Sequence, residues 1–152
     1  MEKVSKSAGK LLAGRSRSPV SVESGSSVIA ALKLMAEANI GAVLVIDASR
    51  LVGIYSERDY ARKGEVMGRS AADTRIRDVM TKDVITVGPD ATCDQCMVIM
   101  HQKQFRHLPV VQDGKVLGVL SSRDVLEEEI AEDEQLIKNL ETDRLIMTTG
   151  NY

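Results

Sequence analysis

The chain has 152 residues, 43% of them hydrophobic and 28% charged, with a formal net charge of −2. That length fits one compact domain or two small packed halves, and the near-neutral balance excludes a general field for nucleic acid or membranes. Aromatic residues are only 3%, with no Trp, so stacking platforms for single-stranded nucleic acid are scarce.

Residues 1–18 carry Lys3, Lys6, Lys10, Arg15 and Arg17 against Glu2 alone, without a long apolar stretch. This reads as a solvated basic segment and not a secretory leader. Pro19 to Val22 alternates as a short strand. Ser24 to Ser27 offers capping hydroxyls, and Val28, Leu32 and Met35 follow at helical spacing to about Ala38. Val43 to Ile46 reads as a buried strand, Asp47 to Arg50 as a turn, Leu51 to Tyr55 as another strand, and a helix starts at Ser56 to Asp59. A second set repeats this order: strand Val84–Val87, helix Thr92–Lys103, strand Leu108–Val111, turn Asp113-Gly114, strand Lys115–Leu120, helix from Ser122. The expected fold is α/β, with a β-α-β-β-α unit used twice and small mixed sheets packed with helices. The expected organisation is 1–18 leading into the first repeat, 19–63 as repeat one, 64–75 as linker, 76–126 as repeat two, and 127–152 as a helical extension and tail. In that extension Leu126, Ile130, Ile137 and Leu140 form an apolar stripe, opposite an acidic face drawn from Glu127, Glu128, Glu129, Glu132, Asp133 and Glu134. The acids read as solvated; the stripe covers either its own core or another chain. No run approaches the ~20 apolar residues of a membrane span, so a cytoplasmic protein is expected.

The two sets align without a gap at an offset of 65, residues 19–60 on 84–125. Identity is confined to Val22, Met35, Val45, Gly53, Ser56, Arg58 and Asp59 with their counterparts, and most other pairs keep their character. One structural unit is used twice, and a unit of roughly 60 residues buries too little surface to be stable alone. A polar motif is duplicated with the core: Ser56-Glu57-Arg58-Asp59 and Ser121-Ser122-Arg123-Asp124.

In each copy the Ser stands where a strand ends and a helix begins. Free N–H groups and the positive dipole end there attract phosphate. The Asp in the first turn can accept both hydroxyls of a ribose diol, and Arg58 and Arg123 bring charge for a phosphate. The competing reading is ordinary helix capping. Cys93 and Cys96 form a C-x-x-C, but their counterparts are Val28 and Ala31 on the apolar helix face, which makes them core cysteines. Only two Cys are present and His101 lies off their face, so no metal site is expected. Met35, Met80, Met97 and Met100 read as core filling.

With these residues, together with Val20-Ser21-Val22, Leu51-Val52-Gly53-Ile54, Arg106-His107-Leu108-Pro109-Val110-Val111 and Leu117-Gly118-Val119, the chain resembles a CBS-domain pair, or Bateman module, of the small stand-alone bacterial or organellar type. The resemblance implies a pseudo-two-fold pair of repeats that binds an adenosine nucleotide (AMP, ADP, ATP or NAD) in clefts between them. Asp59 and Asp124 would hold ribose. Ser56, Arg58, Ser121, Arg123, Arg106 and His107 would lie near phosphate, and Val20, Ile40, Gly41, Ala42, Ile85, Leu108 and Pro109 near adenine. It also implies a homodimer that signals to a regulated partner protein rather than an enzyme, and no paired acid and base, activated nucleophile or metal cluster converges in the sequence. A ligand-free interaction scaffold and a nucleic-acid-binding adaptor are the other classes the residues admit. Copy one has Gly41-Ala42 and Leu44 where copy two has Arg106-His107 and Pro109, so the two sites are expected to be unlike, one more cationic.

Overall fold

The computed structural model describes residues 5–14 and 19–148, with side chains through 135 and at 138 and 139. The elements are α1 (Ala8–Ala13), β1 (Ser21–Val22), α2 (Val28–Ala38), β2 (Ala42–Asp47), β3 (Arg50–Ser56), α3 (Glu57–Lys63), two 3₁₀ turns (Glu65–Met67 and Ile76–Asp78), α4 (Cys93–Lys103), β4 (His107–Gln112), β5 (Lys115–Ser121) and α5 (Ser122–Thr148). They form two compact units, one centred on the first copy, the other on α1, α4 and α5. No helix among the described residues is long and apolar enough to cross a membrane.

The first unit holds a three-stranded sheet in the order β1-β2-β3, with β1 parallel to β2 and β3 antiparallel. Ser27 caps α2 by accepting from the Ala30 N–H at 3.2 Å, and Asn39 ends it in the left-handed region at φ 54°. A two-residue turn, Ala48-Ser49, closes the hairpin with both φ values positive. The core is Val28, Ala31 and Met35 of α2 against Val43, Val45 and Tyr55 of the sheet.

The second unit repeats this core position for position with Cys93, Cys96, Met100, Leu108, Val110 and Leu120. Thr92 caps α4, and Gln104 ends it at φ 56°. The expected strand at Val84–Val87 is absent: β4 and β5 form a two-stranded sheet, and a single parallel bridge, Val87 to Val110, survives at the register of Val22 to Val45. The cause is Pro109. In copy one the Leu44 N–H donates to the Val20 carbonyl at 3.0 Å. Pro109 occupies the counterpart of Leu44 and has no N–H to donate. Its carbonyl still accepts from Val87 N–H at 3.0 Å.

The basic segment is not simply solvated: Ala8–Ala13 is a helix, capped by Ser7, which accepts from the Lys10 N–H at 3.2 Å. Its segment is a brace. The Cys93 N–H donates to Lys6 O at 2.9 Å, Ala8 N–H to Ala91 O at 2.7 Å, and Gly9 N–H to Pro89 O at 2.9 Å. In the first unit Val28 N–H donates to Thr74 O at 2.9 Å, Ile76 N–H to Ser26 O at 2.8 Å, and Arg77 N–H to Ser24 O at 2.9 Å. The acceptors and donors on the two helix starts differ by 65 positions, but the braces differ by 68 (76 − 8). The three-residue slip, and the exchange of Ile76 for Ala8, hid the brace from the alignment. Ala8 and Leu11 fill the core where Ile76 and Val79 do. Ala8 for Ile76 forfeits about 2 kcal/mol of apolar burial, of which Leu11 for Val79 returns about 0.8.

Two side-chain expectations are corrected. Met97 is exposed, unlike Met35 and Met100, which are core, and Met80, which is partly buried against it. The acidic run is not uniformly solvated: Glu129 is only 7% exposed, Glu128 pairs with Lys6 Nζ at 3.3 Å, and Glu132 accepts from the Lys6 N–H at 3.2 Å. Leu126 and Ile130 are instead 50% and 47% exposed, while Val125 takes the core place. The stripe therefore does not cover its own unit at these two positions; the side chains of Ile137 and Leu140 lie outside the described residues.

A staple joins the loop before α2 to the hairpin turn. Asp47 accepts from both the Ser24 N–H (2.9 Å) and the Ser24 hydroxyl, and these bonds hold its carboxyl below the usual carboxylate range. Copy two has Pro89 and Gln112 at these positions and lacks the staple's donor and charge. An Asp with a depressed folded pKa stabilises fully above its unfolded value of about 3.9 and loses that contribution as pH falls through the folded value. The urea midpoints of wild type and Asp47→Ala should therefore differ by a constant amount from pH 7 to about 5 and converge below about pH 4. A gap that persists unchanged at lower pH would show that the ionised carboxylate is not what stabilises the turn.

Candidate functional site

In both copies the Ser-x-Arg-Asp motif folds into the same reciprocal cap. Ser56 Oγ accepts from the Asp59 N–H at 3.1 Å, and Asp59 Oδ2 accepts from the Ser56 N–H and hydroxyl, each at 3.0 Å. Ser121 Oγ accepts from the Asp124 N–H, and Asp124 Oδ2 accepts from the Ser121 N–H, both at 3.0 Å. The motif forms because an extended Ser ending a strand places its oxygen over the first helical turn, and an acid three residues on reaches back. Capping and ligand holding are compatible: a carboxylate has about four lone-pair sites, and the cap on Asp59 uses two.

The strand entry meets the same helix start. Glu57 N–H donates to Gly41 O at 3.0 Å, and Ser122 N–H donates to Arg106 O at 2.7 Å. Ala42 pairs with Ser56 in the β2-β3 register. Gly41, Ala42, Ser56 and Asp59 thus converge in the first unit, and Arg106, Ser121, Ser122 and Asp124 in the second. This corrects the electrostatics expected from sequence. The N–H groups of Glu57 and Asp59 are already spent on Gly41 O and Ser56 Oγ, so anion attraction falls more to side chains. Arg58 is half-buried, Arg106 exposed and His107 half-buried. Arg123 is exposed and paired with Glu127 at 3.4 Å.

The other expected pocket residues divide by strand face. Leu108 is fully buried in its unit's core cluster, so a ligand can meet its backbone but not its side chain. Pro109, on the other face of β4, is also fully buried. Val20 and Ile40 are partly buried against the first core, and Ile85 is 38% exposed outside any strand. Tyr55, which sequence reading treated only as strand, lies under the first cap. Burial, and then the charge of Asp59, push its phenol up to about 12.

Cys93 and Cys96 are fully buried free thiols. Burial first, then Cys96 and the nearby glutamates, push Cys93 up to about 11, and burial raises Cys96. Neutral thiols of this kind are poor nucleophiles. Among the described residues no group of three or more His, Cys, Asp or Glu is placed to hold a metal ion. Sequence reading missed a shallow cavity of about 260 Å³ on the α4 and α5 face, lined by Met97, Met100, His101, Phe105, Ser122 and Leu126 and by neither motif aspartate.

A duplicated unit with a capped Ser-x-Arg-Asp helix start is the mark of a tandem-repeat module. The CBS domain family model matches residues 15–65 and 76–131, and the chain belongs to the CBS-domain family, with the repeat present twice. It is 35% identical over 119 residues to the mitochondrial CBS domain-containing protein CBSX3 of Arabidopsis thaliana, covering 75% of this chain and 58% of the relative's length. A CBS-domain structure from Burkholderia ambifaria superimposes with a TM-score of 0.80 at 39% identity, covering 83% of this chain and 95% of that one. A CBS domain pair in complex with 5′-methylthioadenosine and S-adenosyl-L-methionine matches with a TM-score of 0.70 at 26% identity, covering 82% of this chain and 95% of that one.

Removing either cap hydroxyl strands the N–H of Asp59 or Asp124, while the backbone N–H of residue 56 or 121 still donates to the carboxylate. Ser56→Ala and Ser121→Ala should each cost about 1 kcal/mol in urea unfolding. Loss below about 0.3 kcal/mol would mean that water satisfies the N–H equally well.

Proposed function

We propose that this protein is a regulatory module, not an enzyme, that binds an adenosine nucleotide (AMP, ADP, ATP or NAD) at its two Ser-x-Arg-Asp helix starts and presents the bound state to a partner protein. The observation that carries the reading is the convergence, in each unit, of a capped motif aspartate and the strand-entry backbone of Gly41 or Arg106, with lone-pair sites on Asp59 beyond the two its cap uses. Asp59 and Asp124 hold the ribose diol. Ser56, Arg58, Ser121, Arg123, Arg106 and His107 face phosphate. Val20, Ile40, Gly41 and Ala42, and in copy two Ile85 and the backbone of Leu108 and Pro109, border adenine. The adenosine compounds bound by the 26%-identical CBS pair support this ligand class. The ligand acts by binding one conformational state better than another, and only that difference can reach a partner.

Copy two, with Arg106 and His107, takes the more highly charged ligand; copy one, with Gly41 and Ala42, takes a less charged one. A thermal-shift and calorimetric panel of AMP, ADP, ATP, NAD, S-adenosylmethionine and a short RNA tests this. At a ligand concentration of about 100 Kd the stabilisation should approach 2.7 kcal/mol. It should vanish in Asp59→Ala with Asp124→Ala, and Asp124→Ala alone should weaken ATP more than AMP. No shift with any adenosine compound at millimolar concentration would overturn the reading, and a shift with RNA alone would favour the nucleic-acid adaptor.

The same reading includes a homodimer. Met97, Val98, Leu126 and Ile130 are exposed on α4 and α5, an apolar surface suited to a second copy. Leu126→Glu with Ile130→Glu should convert a sedimenting dimer to monomer; an unchanged dimer would place its interface elsewhere.

A further inference from the structure

The brace that precedes each copy is used twice but built unequally. The one on α2, residues 74–80, anchors Ile76 and Val79 in the core. The one on α4 anchors the smaller Ala8 with Leu11 and leans on side-chain polar contacts, as the other brace does through Arg75, which donates to Gly25 O at 3.2 Å. Lys6 pairs with Glu128, its N–H donates to Glu132, and the Asp94 N–H donates to Ser5 Oγ at 3.2 Å. These contacts are not all satisfied, because Glu132 Oε2 is buried without a hydrogen-bond partner. Lys6 is 51% exposed on its side chain, so water competes for it directly. Beneath the brace lies the first turn of α4. Cys93 donates its N–H to Lys6 O, and both thiols are fully buried.

We propose that residues 5–13 form a releasable strap whose opening, without unfolding of the rest, bares the first turn of α4 and exposes Cys93 and Cys96 as a gated thiol pair. Local opening of this kind is drawn from segments with few apolar anchors and exposed polar contacts. When the strap leaves, Cys93 loses its backbone partner, the Cys93–Cys96 face loses the cover of Ala8 and Leu11, and Glu132 returns to water. The closed thiols are neutral and sequestered, and their reactivity is set by how often the strap opens rather than by their own chemistry. This is separate from nucleotide binding at the aspartates.

These two are the only cysteines in the chain, so thiol labelling of the whole protein reports the event without background. Labelling by excess N-ethylmaleimide is followed by mass spectrometry at increasing urea and set beside the global unfolding curve. The strap requires labelling at low urea at least a hundredfold faster than global unfolding allows, with a shallow urea slope. Lys6→Ala should accelerate it several-fold and Leu11→Ala at least tenfold. Val79→Ala, in the other brace, should change it only as far as it changes global stability. A slope equal to that of global unfolding would overturn the proposal. So would fast labelling that Lys6→Ala and Leu11→Ala leave unchanged, since the opening would then lie elsewhere. Lys6→Ala is a surface change that keeps the core intact, so the test stands even if Leu11→Ala fails to fold.

Discussion

The constraint on which the rest depends is the first turn of α2 in one unit and of α4 in the other. Its N–H groups have no partners within the helix, and its buried face needs apolar cover on the side where the sheet ends. Each copy meets both needs with a borrowed segment. Residues 74–80 accept from Val28 and place Ile76 in the core, and residues 6–11 accept from Cys93 and place Ala8 there. Ile76 and Val79, like Ala8 and Leu11, are core residues rather than surface decoration.

The motif aspartates inherit their position from this frame. The sheet sets where Ser56 and Ser121 stop being extended, the cap sets where Asp59 and Asp124 turn, and the strand-entry carbonyls of Gly41 and Arg106 fix the first helical N–H. The reciprocal cap and the strand-entry contact are therefore one arrangement, repeated in both copies.

The copies are alike in core and unlike at the edges. Pro109 in place of Leu44 removes one ladder donor and reduces a strand to a single bridge. The staple of Ser24 on Asp47 has no counterpart. Arg106 and His107 stand where Gly41 and Ala42 do. Glu128 and Glu132 meet Lys6 and Glu129 is buried, while Leu126 and Ile130 face outward. Each difference is local in chemistry, and each changes the surface of its own unit while the core is kept.

The sequence by itself determined the duplicated unit, its order of elements, the capped Ser-x-Arg-Asp starts and the core role of Cys93 and Cys96. Those follow from period, punctuation and an ungapped register, which are local signals read twice. It could not show that residues 6–12 repeat 74–80, because a three-residue slip and smaller side chains erased the pattern. It held both charge runs but not their meeting, since Lys6 and Glu128 are far apart in the chain. Nor did it show that Leu108 spends its side chain on the core while its neighbours approach the helix start. Tertiary structure decided these, because long-range pairing and strand facing depend on which segments are brought together, and no local pattern records that.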